Sequence, residues 1–162
     1  MAQGNTQSVL RRATLFVRDM DRSIAFYGDV FGLEIYIDRE MPLSVVPSFP
    51  VGPAGRGGAM RFVMMRGWDP LIGMIGLIEV KDPPLGDNPP PSGRLGYGNA
   101  ALVLETRDVQ AVAATIDSFG GSILMPPTEG RNLGDAEGNF IPALVMMATD
   151  PDGQFLEIFQ AL

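Results

Sequence analysis

The segment that decides the fold is residues 14–34, TLFVRDMDRSIAFYGDVFGLE. Residues 13–17 are apolar enough to form a strand, and Asp19 is suited to cap the helix that follows. Gly32 is suited to end this helix in a left-handed conformation. Residues 33–37 alternate between apolar and polar side chains, which predicts a second strand. The helix would bury a stripe of residues at helical spacing: Ile24, Tyr27 and Phe31.

The second half of the chain repeats this order. Residues 100–106 form a predicted strand, and Asp108 begins a predicted helix that ends at Gly120-Gly121. Asp19 precedes Gly32 by the same interval by which Asp108 precedes Gly121. The sequence therefore predicts an α+β fold of two tandem βαβββ modules, because a single module would leave one sheet face exposed.

The predicted boundaries follow the Pro-rich and Gly-rich stretches. Residues 9–81 form the first module, residues 82–95 a Pro-rich linker, and residues 96–162 the second module, together one structural domain. Two further stretches, residues 41–60 and residues 126–140, are predicted to be irregular loops. Loops of this length often serve as lids or binding loops.

Composition excludes several classes of function. The chain has 162 residues, no histidine, no cysteine and a net charge of −7, and Lys81 is its one lysine. A phosphate backbone requires a basic face, so we expect no nucleic-acid partner. No apolar run approaches the roughly 20 residues of a membrane span, and we expect no membrane partner. The N-terminus lacks the pattern of a secretory signal, so the expected location is cytoplasmic.

Two motifs identify a related family. Residues 14–27 with residues 30–34 resemble the opening of the vicinal oxygen chelate superfamily, which includes glyoxalases, bleomycin resistance proteins and extradiol dioxygenases. Residues 150–158, DPDGQFLEI, resemble that family's last turn and strand. The resemblance implies a curved, barrel-like mixed sheet around a cleft. It also implies a homodimer, either with swapped modules or with each chain closing its own cleft.

The resemblance also implies four metal-ligand positions, one on each of four strands. The resemblance implies histidine at two of them, which are Arg12 and Ala101 here, and glutamate at the other two, which are Glu79 and Glu157. Both histidine positions are thus occupied by other residues. Two carboxylates alone make a weak site for a transition metal, and a guanidinium beside them repels a cation. We therefore predict no metal site and no cofactor, although weak Mg²⁺ or Mn²⁺ binding through oxygen ligands stays open.

Candidate site residues follow from strand alternation and from the resemblance. Glu79 and Glu157 are each flanked by apolar residues, so each points away from its neighbours, either into the cleft or into solvent. Arg12 either pairs with one of these carboxylates, binds an anionic or carbonyl-bearing ligand, or is an exposed residue at the start of a strand. The other candidate ligand-binding residues are Phe16, Trp68, Asn99 and Ala101.

Three functions remain open at this stage. The first is a small-molecule binding protein without the usual histidine-based metal site. The second is a lyase or isomerase that uses Glu79 or Glu157 as a catalytic acid or base. The third is a metal-dependent glyoxalase or extradiol dioxygenase. The identity of the ligand does not follow from the sequence.

Overall fold

The computed structural model describes residues 12–45, 58–69, 73–81, 84–86, 98–133 and 140–162. Within these ranges the first module contains the helix α1 and four strands, and the second contains α2 and four strands. The strands are β1 Ala13–Phe16, β2 Glu34–Pro42, β3 Ala59–Arg66, β4 Ile75–Val80, β5 Ala101–Glu105, β6 Ser122–Leu133, β7 Phe140–Thr149 and β8 Phe155–Ala161. The helices are α1 Met20–Ala25 and α2 Val109–Thr115.

Each module forms a four-stranded mixed sheet. The strand orders are β1-β4-β3-β2 and β5-β8-β7-β6, with the first and last strand of each module parallel and the other pairs antiparallel. The predicted α+β class and the repeated βαβββ order are confirmed. Within the described residues the two sheets are not closed into a barrel.

Both helices begin as the sequence predicts. Asp19 accepts a hydrogen bond from the backbone N–H of Arg22 at 3.0 Å, and Asp108 accepts one from Ala111 at 2.9 Å. These side chains satisfy N–H groups that have no partner inside the helix. A π-helical segment, Phe26–Val30, continues α1, and a 3₁₀ segment, Ile116–Phe119, continues α2.

One hydrophobic core joins the two modules. It combines residues of both helices with the sheet faces turned toward them, such as Leu77 and Leu156, which are fully buried. Gly121 lies at the junction, where a Cβ atom would stand 2.7 Å from Phe26 Cε2 and 2.7 Å from the carbonyl oxygen of Thr149. The modules can approach this closely only because residue 121 has no side chain.

A buried hydrogen bond reinforces the junction. The Tyr27 hydroxyl donates to Asp150 Oδ2 at 2.8 Å, and both residues are almost fully buried. The other carboxylate oxygen of Asp150 accepts backbone N–H bonds from Asp152 and Gln154 at 2.9 Å and 2.8 Å. Burial raises the pKa of both Tyr27 and Asp150. The turn before β8 is thus attached to the first module.

The structure corrects two predicted loops. β2 continues to Pro42, and β6 runs to Leu133 across most of the predicted loop 126–140. β6 is an edge strand, where Pro126 and Pro127 are tolerated, and its pairing with β7 shifts register between Met125 and Thr128. Residues 46–57 and most of the linker 82–95 lie outside the described residues.

Candidate functional site

Each sheet has one face against the helices and one face turned away, which we call its open face. In the first sheet Leu15 pairs with Leu77 on the helix side, so alternation places Thr14, Phe16 and Ile78 on the open face. In the second sheet Leu156 belongs to the core, and Val103 pairs with Glu157 on the open face.

Arg12 lies on the open face of the first sheet. Its Nε donates to Thr14 Oγ1 at 3.3 Å, and its guanidinium carbon stands 5.3 Å from the centre of the Phe62 ring. Gly76 lies below, and a Cβ atom there would be 3.0 Å from Thr14 Oγ1 and 3.4 Å from Arg12 Cδ. Neither Glu79 nor Glu157 forms an ion pair with Arg12 in the part of the chain that is described.

Glu79 does not lie on the open face. Glu79 lies two residues after Leu77 on β4 and pairs in register with Arg61, so its side chain is on the helix side. Its carboxylate is 3.9 Å from Lys81 Nζ. Arg61 in turn binds both oxygens of Asp38, and these hydrogen bonds hold the pKa of Asp38 below its usual value. Glu79 thus belongs to a group of charges beside α1.

The residue of β4 that corresponds to Glu157 is Gly76. Thr14 precedes the capping residue Asp19 by the same interval by which Val103 precedes Asp108, and Thr14 pairs with Gly76 as Val103 pairs with Glu157. Glu79 lies three residues further along β4, and a shift by an odd number of residues moves a side chain to the other face of a sheet. Counting alternation from the core residue Leu77 would have placed Glu79 on the helix side.

Glu157 is partly buried and bonded to a residue that the sequence did not indicate. Asn132 Nδ2 donates to Glu157 Oε1 at 2.9 Å. In register, Asn132 is opposite Ile141, whereas Glu157 is opposite Met147, so a flat sheet would separate their rows by about 20 Å. The β6–β7 hairpin therefore bends across the open face. Sequence reasoning missed Asn132 because it assigned this segment to a loop.

In the first module, the segment that follows β2 likewise covers part of the open face, but with apolar residues. After β2, the 3₁₀ segment Leu43–Val45 follows, and Leu43 is buried in a cluster with Met60, Ile78 and Val80. The Leu43 backbone N–H donates to the carbonyl of Gly58 at 2.8 Å. The segment after β2 therefore covers the aliphatic side chain of Ile78. In the second module, β6 covers the carboxylate of Glu157.

The other candidate residues lie at the edges of the open faces. Phe16 is 45% exposed on β1, while Ala101 and Val103 are exposed on β5. Asn99 is exposed just before β5. The first strands of both modules thus present apolar surface at the free edges of their sheets.

The contacts of Trp68 include neither Glu157 nor Arg12 in the described part of the chain. Its side chain is 77% exposed, and the guanidinium of Arg107 from the second module stands 5.9 Å from its ring centre. Trp68 contributes to a surface cavity of about 360 Å³, whose other lining residues are Gly32, Glu34, Arg66 and Gly67. The ring therefore lines a cavity and does not cover the core.

Comparison with known proteins now identifies the family. A family model described as "Glyoxalase/Bleomycin resistance protein/Dioxygenase superfamily" matches residues 9–158. The chain belongs to this superfamily. The resemblance inferred from residues 14–34 and 150–158 is thus confirmed. Comparison with curated proteins gives no match.

Solved structures show the same fold in other proteins. A glyoxalase family protein from Bacillus cereus has 16% identity and a TM-score of 0.70, with 100% of this chain and 99% of that chain covered. The trypanothione-dependent glyoxalase I of Leishmania major has 17% identity and a TM-score of 0.56, covering 95% and 87%. A hypothetical protein from S. aureus has 18% identity and a TM-score of 0.52, covering 98% and 100%.

The donor set on the open faces does not fit a metal ion of the kind that the superfamily resemblance implies. The four positions defined by strand register hold Arg12, Gly76, Ala101 and Glu157. Only the glutamate offers a ligand atom, and one carboxylate is too few for a transition-metal site. Among the described residues, no group of three or more acidic residues is placed to hold a metal.

The structure also bears on membrane association. In the part of the chain that is described, neither helix is long and apolar enough to span a bilayer.

Proposed function

We propose that this protein binds a small organic molecule on its open faces without a metal ion. The observation that carries the proposal is the set of residues at the four expected ligand positions, where an arginine, a glycine and an alanine accompany Glu157. The chain keeps the family fold and a polar pair, Asn132 and Glu157, while three of the four ligand atoms are missing. Polar groups of this kind orient a ligand among apolar walls.

The open faces supply two different kinds of contact. Glu157 accepts a hydrogen bond from Asn132 and has further acceptor capacity for a ligand N–H or O–H. On the first sheet, Arg12 offers N–H donors beside Phe62, and Phe16 offers an exposed ring. Asn99 and Ala101 remain candidate contacts at the margins of this surface, and Trp68 remains a candidate contact in its separate cavity.

We also propose that the protein forms a homodimer. Phe16 and Val103 are 45% and 58% exposed on β1 and β5, the edge strands of the two sheets. Apolar side chains at exposed sheet edges favour burial by a partner. A second copy of the chain would cover them and enclose the open faces. Light scattering of the purified protein should give twice the chain mass, and a monomeric mass at micromolar concentration would contradict this part of the proposal.

The direct experiment is native mass spectrometry of the purified protein, combined with elemental analysis. We expect an organic molecule to copurify or to be captured from a metabolite extract. We expect the metal content to be far below one ion per chain. Stoichiometric manganese, iron, nickel or zinc would contradict the proposal and favour a metal-dependent glyoxalase or dioxygenase.

One observation favours a second candidate, a lyase or isomerase. Glu157 is a partly buried carboxylate that Asn132 holds in a fixed orientation, as a catalytic base requires. Glu79, the other candidate base, is on the helix side and has no place in this mechanism. If the captured molecule is turned over, Glu157→Gln should abolish product formation while binding persists. Equal turnover by Glu157→Gln would exclude Glu157 as the base.

A further inference from the structure

The open face of the first sheet contains an arginine whose geometry specifies a class of ligand. Arg12 has five N–H donors, and one of them, on Nε, is already bonded to Thr14 Oγ1 at 3.3 Å. The guanidinium carbon also stands 5.3 Å from the centre of the Phe62 ring, within the range of a cation–π contact. The two Nη atoms remain directed away from the stem, which suits end-on pairing with two oxygens of one planar carboxylate.

The surroundings of Arg12 form a cradle that depends on Gly76. A Cβ atom at residue 76 would lie 3.0 Å from Thr14 Oγ1, 3.2 Å from Phe62 Cε2 and 3.4 Å from Arg12 Cδ. A side chain at position 76 would therefore crowd Thr14 and Phe62 and would touch the stem of Arg12. Because Thr14 Oγ1 accepts a bond from Arg12, its own proton can be donated to a ligand oxygen.

An aromatic surface adjoins the cradle. Phe16 follows Thr14 on the same face of β1, about 7 Å along the strand, and is 45% exposed. We propose that Arg12 and Thr14 bind the carboxylate of an aromatic organic acid, with its ring placed on Phe16. This inference rests on the proposed function and adds the chemical class of the ligand.

Isothermal titration calorimetry with three probes tests the inference. The probes are 3-phenylpropionate, its neutral amide 3-phenylpropanamide, and inorganic phosphate. We expect the acid to bind at least about tenfold more tightly than the amide or phosphate, because a charge-assisted bidentate pair is worth more than about 1.4 kcal/mol. No binding of the acid at about 10 mM would overturn the inference, since that concentration corresponds to negligible affinity.

Variants separate charge from shape. Arg12→Gln should lower the affinity for the acid at least about tenfold and leave that for the amide unchanged. Gly76→Ala keeps the charge but should also weaken binding of the acid, because its Cβ atom would enter the cradle. Arg22→Gln, which removes an exposed arginine on α1, is the control and should bind like the unchanged protein.

Other outcomes are also decisive. Unchanged binding of the acid by Arg12→Gln would overturn the inference, as would phosphate binding as tightly as the acid. Equal binding of the acid and the amide would overturn the inference that Arg12 and Thr14 bind a carboxylate. The proposed small-molecule function would still stand. That function fails separately, through stoichiometric metal in the purified protein.

Discussion

Gly76 and Glu157 stand at corresponding positions on the open faces of the first and second modules. Gly76 leaves room for Arg12 and Thr14, whereas Glu157 accepts a hydrogen bond from Asn132. In both modules this position pairs with the residue five places before the aspartate that caps the helix, so the difference comes from the side chains. The two halves thus share a backbone plan, while one places a guanidinium beside a glycine and the other places a carboxylate on the open face.

The junction between the modules shows a second asymmetry. Tyr27 follows its capping residue Asp19 by the same interval as Ile116 follows Asp108. Tyr27 donates to the buried Asp150, whereas Ile116 contributes only an aliphatic side chain to the core. The helical segment of the first module therefore forms a polar contact with the last turn of the second module, whereas Ile116, the corresponding residue of the second module, forms an apolar one.

The largest expected effect is that of Asp150→Ala. It would leave the Tyr27 hydroxyl and the N–H groups of Asp152 and Gln154 without their acceptor, so we expect a loss of about 3 kcal/mol in the free energy of unfolding. Urea denaturation measures this loss. Asp69→Ala, in the corresponding Asp-Pro sequence motif of the first module, is the matched variant and should cost less, because Asp69 is partly exposed. Equal losses for the two variants would mean that Asp150 and Asp69 contribute equally to the free energy of unfolding, which would contradict the asymmetry of the junction.

Much of this plan could be predicted from particular residues. Asp19, Asp108 and Gly32 fix the helix boundaries through local hydrogen bonds and backbone conformation, which depend on near neighbours. Strand alternation also separated Glu157 from its apolar neighbours, but it left open whether the side chain faces the cleft or solvent.

Three features could not be predicted because they depend on tertiary structure. The face on which Glu79 lies did not follow from its motif, since a motif match does not fix strand register. Asn132 reaches Glu157 only through the bend of a hairpin, and β6 continues across Pro126 because it is an edge strand. Short-range sequence patterns carry none of this information.

The two glycines that follow the helices should differ in their response to substitution. Gly121→Ala would bring a Cβ atom within 2.7 Å of Phe26 and of a backbone oxygen, and we expect a loss of about 2 kcal/mol. Gly32→Ala meets no atom within 4 Å, but its φ of +69° costs an alanine about 1 kcal/mol. Thermal unfolding of both variants gives the order, and a larger loss for Gly32→Ala would contradict the close packing at Gly121.

A smaller effect should appear at alkaline pH. Burial, and then the charge of Asp150, raises the pKa of Tyr27 above its usual value. The tyrosine's contribution to stability is therefore complete below about pH 10 and is lost as the pH rises through the folded-state pKa. Tyr27→Phe should be less stable at neutral pH and lose less on further alkalinisation. Parallel stability curves for the two proteins would contradict this account.

The most direct test of the central claim compares Glu157→Gln with Glu79→Gln. Each protein is titrated with manganese and zinc and with the molecule captured from a metabolite extract. The account predicts no stoichiometric metal binding by the unchanged protein, weakened ligand binding for Glu157→Gln, and unchanged ligand binding for Glu79→Gln. One metal ion bound per chain and lost in Glu157→Gln would contradict it.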